Sequence, residues 1–402
     1  MDDSGRINNT SPRKFPVRIF ILRYMQFKAL TQNVFRPAFI AGVMLSALFC
    51  APPSINAQRS QRGRSDDSAN SAEIELQKGI ALTRDGKFQE AIPHLLPAQG
   101  QVTSQLAAGF NLALCYVATG QYKPAIDALN DLRAHGQVNA EVEDLFAQAL
   151  LGNRQPTEAL AAAERAAKIT PKDEKLYVHI VEGCMDNGYN DVGLKVVEIG
   201  QEHLPKSARL AFEHAMLLVQ LDQLDEAKLE LQKVTGLAPG SDVAYIARVQ
   251  KHLFDGDAVE AKRVAREGIV KGSQHLMLLA LYGEAVIRAG VDPGDPEFAD
   301  ARAALEHAVG VRPIYASAQI SLGKLYLTEG RVDDAIAHLN EGRQMDPRNP
   351  AAYSNLAAAF RRNGNAQQAE EMLAVLAKLN QEQIEKTRSA PGDRKKNYQN
   401  QL

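Results

Sequence analysis

The sequence predicts an all-α protein built from stacked helix pairs, and three observations carry that prediction. Prolines return at a fixed interval: Pro171, Pro205 and Pro239 are evenly spaced, and the same step separates Pro313 from Pro347. Small residues keep that step at Ala159, Gly193, Ala227 and Ala261. Alanine and leucine dominate the middle of the chain, aromatics make up 6% and tryptophan is absent, a balance that favours helices over strands. A helix breaker repeated at one interval marks where one unit stops and the next begins.

The clearest unit is 316–347, "ASAQISLGKLYLTEGRVDDAIAHLNEGRQMDP". Apolar residues recur there at three- and four-residue spacing in two blocks, giving two amphipathic helices. Gly330 separates them, free to take the left-handed conformation that ends a helix, and Pro347 closes the unit. Gly323 in the first helix and Ala335 in the second lack bulk, so the two axes can approach closely.

This unit resembles the tetratricopeptide repeat family, whose pattern runs W-x2-L-G-x2-Y, then A-x3-F, then P. It supplies Leu322-Gly323-x2-Tyr326, Ala335-x3-Leu339 and Pro347, with Gln319 in the tryptophan place and Leu339 in the phenylalanine place. The proline step also equals the family's repeat length of about 34 residues. The next unit supplies Tyr353, Leu356-Ala357-x2-Phe360 and Ala369-x3-Leu373, without a closing proline. Earlier units match in part. The array begins with Gly79, Leu82 and Ala91, continues with Leu112-Ala113-x2-Tyr116 and Ala125, and then reaches Phe146 and Ala159. Weaker units follow around Gly193, Ala227 and Ala261. Gly283 and Ala301 are further apart than Gly323 and Ala335, which places a six-residue insertion near 291–297 in "GVDPGDPEF".

The resemblance covers roughly residues 71–387 and implies a right-handed α-solenoid superhelix of about nine helix-turn-helix repeats. Each pair has too much apolar face to bury alone and must stack on copies of itself. The expected packing positions are Gly79, Ala91, Ala113, Ala125, Ala159, Gly193, Ala227, Ala261, Gly283, Ala301, Gly323, Ala335, Ala357 and Ala369. A final helix with one polar side, 367–388, is expected to cap the stack.

Residues 1–57 read differently. "AFIAGVMLSALFCA" at 38–51 is a short apolar run behind a basic segment that includes Arg6, Arg13, Lys14, Arg18, Arg23, Lys28 and Arg36. Pro52, Pro53 and a small-residue exit at Ala57 complete a secretory signal pattern. The apolar run falls short of the roughly 20 residues that span a bilayer. A start at Met25 would give the leader ordinary proportions. The expectation is an exported protein, periplasmic or secreted. The alternatives are an uncleaved leader that anchors it to the membrane and a lipid on Cys50, for which Leu48-Phe49 is a poor approach. Residues 58–70 are expected as a disordered spacer and 388–402 as a disordered tail.

Charge and motifs exclude several functions. A net charge of −2 gives no basic excess, so nucleic acid is not an expected partner. No phosphate loop, H-E-x-x-H or paired C-x-x-C occurs. No catalytic residue, metal site or cofactor is expected. The pair His179 and Glu182 and the acids beside His203 and His214 read as solvated surface or interhelix contacts, and the turn acids Asp292, Asp295 and Glu297 as turn residues. Cys115 and Cys184 read as buried free thiols.

What remains is the inner surface. The resemblance implies that the first helix of each pair lines a groove for a peptide or protein partner. By position that lining is Phe110, Leu114, Val117, Val178, Met185, Phe212, Met216, Val219, Ile246, Leu253 and Phe254. Each of these either packs on the next repeat or lines the groove. Relatives that grip a terminal carboxylate use lysines and asparagines here, and Phe110 and Leu114 argue against that specialisation. The expected function is a non-enzymatic protein-interaction scaffold of a bacterial cell envelope. The alternative is an accessory or adaptor subunit of an envelope enzyme or assembly machinery.

Overall fold

A computed structural model describes residues 58–100, 104–311 and 315–389. Among these, every regular element is helical. The chain divides into two compact units between Leu221 and Asp222.

The first unit carries α1 (Gln58–Arg84), α2 (Phe88–Leu95) and a 3₁₀ turn (Leu96–Ala98). It continues with α3 (Gln105–Ala118), α4 (Tyr122–Ala134), α5 (Ala140–Gly152), α6 (Pro156–Ile169), α7 (Glu174–Asn187), α8 (Asn190–His203) and α9 (Ala208–Gln220). The second carries α10 (Leu224–Leu237), α11 (Asp242–Phe254), α12 (Ala258–Val270), α13 (Leu276–Arg288) and α14 (Pro296–Gly310). It ends with α15 (Ala316–Glu329), α16 (Val332–Met345), α17 (Pro350–Arg362) and α18 (Ala366–Ser389). Within each unit consecutive helices pair as hairpins. The first helix of one hairpin also packs on the first helix of the next, as α3 does on α5, α5 on α7 and α13 on α15.

The turn after each first helix is set by one backbone conformation. A residue with positive φ recurs once per repeat, at Gly86, Gly120, Arg154, Gly188, Asp222, Gly256 and Gly290. Gly330 arrives late by the length of the insertion, and Gly364 resumes the step. The extra residues therefore fall between Gly290 and Gly330. The left-handed residue lets the following amide reach back to the helix, as Gln121 N does to Tyr116 O at 2.8 Å. Arg154 and Asp222 adopt this conformation without being glycine, at φ 64° and 62°.

The proline loops repeat too. Asp173 N donates to Thr170 O at 3.1 Å, Ser207 N to Leu204 O at 3.0 Å and Ser241 N to Ala238 O at 3.1 Å. A tyrosine beyond the proline locks the loop in two repeats: the Tyr177 hydroxyl donates to Pro171 O and that of Tyr353 to Pro347 O. Small residues sit where the helices touch. The alanines expected at packing positions, Ala91 to Ala369, are all buried. A Cβ on Gly323 would meet Leu339 Cγ at 2.6 Å and the backbone oxygen of Ala335 at 3.0 Å. Both units thus bury an apolar core. In the first it includes Leu145, Tyr177, Ile180 and Leu210.

The amino-terminal end departs from expectation. Residues 58–70, read as a spacer, belong to α1. They contain no proline and one glycine, so nothing stops a helix anchored at Ala72 and Leu76 from extending backwards. The signal pattern, Cys50 and the tail beyond Ser389 lie outside the described residues. Cys115 and Cys184 are buried free thiols, and burial pushes them up to about 11 and about 12.

Candidate functional site

The first unit encloses a cavity of about 660 Å³, a volume typical of a ligand pocket. It opens where the amino-terminal ends of α3, α5 and α7 lie side by side, with Arg209 of α9 at its edge. The repeat makes this juxtaposition. The capping residues Asn139, Asp173 and Ser207 are each one repeat apart, and Ser104 stands one position early in the same series. Each cap's side chain accepts a hydrogen bond from a first-turn amide, which fixes where its helix begins. Because stacked hairpins keep register, these starts line up along one edge.

The cavity has an apolar floor and a polar wall. Leu106, Ala107, Phe110, Leu176 and Val178 form the floor. The wall is built around His179. Its Nδ1 lies 2.6 Å from Asp144 Oδ2, joining α7 to α5. Gln148, one turn along α5, donates to the His179 carbonyl at 3.0 Å and lies 3.5 Å from Asp144 Oδ1. Gln148 fits because Gly183 faces it: a Cβ there would collide with Gln148 Oε1. Burial alone pulls the His179 imidazole down. The charge of Asp144, the hydrogen bond to it and the nearby Glu182 and Asp186 carboxylates outweigh that and raise it above its ordinary value. Arg209 reaches Glu182 at 3.1 Å and Glu213 at 2.7 Å, tying α9 into the same wall.

The structure distributes the expected groove residues unevenly. Phe110 and Val178 line the cavity. Phe110, Leu114, Val117, Phe212, Ile246 and Leu253 are buried, so helix packing closes over most of the stripe expected to face a partner. Met185, Met216, Val219 and Phe254 are half-buried and outside the cavity lining. Ile246, Leu253 and Phe254 belong to α11 in the second unit.

Asp144, Gln148 and Arg209 are the residues that sequence reasoning missed. A signal existed. Phe110 and Val178 occupy one register position of their first helices, and Asp144 holds that same position in the repeat between them. Gln148 and Glu182 likewise lie between Leu114 and Met216 in the second lining register. The apolar stripe is interrupted by polar residues in two of the repeats whose first helices line the cavity.

Elsewhere, two of the turn acids have structural roles. Asp295 caps α14, and Glu297 pairs with Lys262. Among the described residues no group of three or more His, Cys, Asp or Glu is arranged to hold a metal ion. No helix among them is long and apolar enough to cross a membrane.

Comparison with known proteins matches parts of the array. Models described as tetratricopeptide repeat match residues 82–149 and 326–386, residues 297–350, and residues 208–241. No curated protein matches the chain significantly. Among solved structures, a tetratricopeptide repeat protein from Parabacteroides merdae is 14% identical. Its alignment covers 63% of this chain and 97% of the other, with a TM-score of 0.45. The Cut9–Hcn1 hetero-tetramer of the APC/C is 13% identical over 72% of this chain and 56% of that one, TM-score 0.45. YrrB, described as a TPR protein with an unusual peptide-binding site, is 19% identical over 46% of this chain and 93% of that one, TM-score 0.31.

Proposed function

The chain belongs to the tetratricopeptide repeat family, and from that premise we propose that it is a non-enzymatic scaffold of a bacterial cell envelope that holds a peptide or protein partner in the cavity of its first unit. Repeats of this family serve protein–protein interaction, which makes a protein or peptide the expected partner class. The observation that carries the site is the cavity itself: an apolar floor beside ordered polar groups, at the aligned starts of three first helices. An extended segment laid there buries apolar side chains on Leu106 and Val178 and meets fixed hydrogen-bonding groups on the wall. The envelope assignment rests on the basic segment, apolar run and small-residue exit of residues 1–57. No cofactor is part of this reading, and nucleic acid is not expected as a partner.

Leu106 and Val178 are half-buried, so they can be changed with less damage than fully packed neighbours such as Phe212 at 3% exposure. In a pull-down from envelope extract, the wild-type chain is expected to recover a discrete partner. Leu106→Asp with Val178→Asp should lose that partner while retaining a helical circular dichroism spectrum. Equal recovery by a folded double variant would remove the cavity from the account. Amino-terminal sequencing of the purified protein tests export, with Gln58 as the expected first residue.

A further inference from the structure

The cavity's chemistry points to one kind of occupant. Five carboxylates line it, those of Glu141, Asp144, Asp173, Glu174 and Glu182, against two permanent cations, Lys175 and Arg209. Arg209 is already engaged with Glu182 and Glu213. The imidazole of His179 sits where the charges of Asp144, Glu182 and Asp186 converge. Helix starts ordinarily favour anions. Here those starts are occupied by the chain's own oxygens, because Ser104, Asn139 and Asp173 each accept from a first-turn amide. Glu141 and Glu174 add negative charge to the first turns of α5 and α7. An acidic ligand would therefore meet like charge, and a basic one would meet its complement beside an apolar floor.

We propose that the cavity binds a peptide segment carrying a lysine or arginine next to a large apolar side chain, the cation against the Glu141 and Glu174 carboxylates at the helix starts and the apolar group on Leu106, Phe110 and Val178. This deepens the reading of the cavity as the partner site and rests on it. It also sets this groove apart from one that grips a terminal carboxylate.

Fluorescence anisotropy with the purified full chain tests it. Two pools of acetylated, amidated heptapeptides are compared, identical except that the central residue is lysine or arginine in one and glutamate or aspartate in the other. Leucine or phenylalanine flanks the central residue in both pools. The basic pool is expected to bind about tenfold more tightly at low salt, with the gap shrinking as salt is raised. Glu141→Gln with Glu174→Gln should cut the gap severalfold. Equal binding of both pools, lost together in Val178→Asp, would overturn the charge preference and leave the peptide site standing. Tighter binding of the acidic pool would overturn it too. Failure of both pools to bind would overturn the site and the preference together.

Discussion

Two networks in this chain use the same groups and do different work. In the second unit, His338 Nδ1 lies 2.7 Å from Gln319 Oε1, and Gln319 Nε2 donates to Glu341 at 2.6 Å. Gln319 is on α15 and its partners are on α16, so the network closes inside one hairpin, with Gln319 buried at 3% exposure. In the first unit, His179, Asp144 and Gln148 join α7 to α5, two different hairpins, and His179 and Asp144 open onto a cavity. The contrast teaches how a repeat scaffold acquires a site. Polar groups satisfied within a hairpin hold that hairpin together. Polar groups that bridge successive first helices order a surface that a partner can read.

The largest expected effects come from the glycines beside each network. Gly183→Leu would drive a side chain into Gln148, and Gly323→Leu would drive one into Leu339 and the Ala335 carbonyl. Each should destabilise its unit by about 1–3 kcal/mol or more in urea unfolding. Only Gly183→Leu should also weaken binding in the cavity. If Gly323→Leu lowers binding as much at matched stability, the distinction between the two networks fails.

Next in size is a pH effect. His179 titrates above its ordinary value in the folded chain, so its pairing stabilises the fold most fully below the unfolded-state value near 6.5. That contribution is lost as pH rises through the raised folded value. Asp144→Asn should therefore cost most stability in acid, below that unfolded-state value, and the cost should shrink as the pH climbs past neutrality. A cost independent of pH would mean that the Asp144 hydrogen bond acts without the imidazole's charge.

The smallest effect lies in the turns. Arg154 holds φ 64° at a position where most repeats place glycine. Arg154→Gly removes that strain but frees the unfolded chain, so a net gain of about 0.5–1 kcal/mol is expected. Gly120→Ala, at φ 74° in the turn one repeat earlier, should lose a similar amount. Thermal melts of both variants would show whether the two turns are equivalent.

The repeating parts of this molecule were legible in its sequence because one physical demand recurs in every copy. Left-handed turns, proline loops and small residues at helix contacts stand at a constant step, and the insertion after Gly290 is visible as its interruption. The site was half legible. Reading each first helix alone finds apolar residues such as Phe110, Leu114 and Phe212, but cannot tell which face neighbours will close, and most proved buried. Asp144 and Gln148 escaped because their meaning depends on His179 and Gly183 of the next repeat. The extension of α1 to Gln58 was not legible either: its polar residues neither demand nor forbid a helix.

Site-specific photo-crosslinking in living cells tests the central claim most directly. A photoreactive residue would be placed at Leu106 in the cavity and, separately, at Leu229, which is 68% exposed on α10. The account predicts a discrete adduct from position 106, lost when Val178→Asp is added, and none from position 229. An adduct from position 229 alone would contradict it.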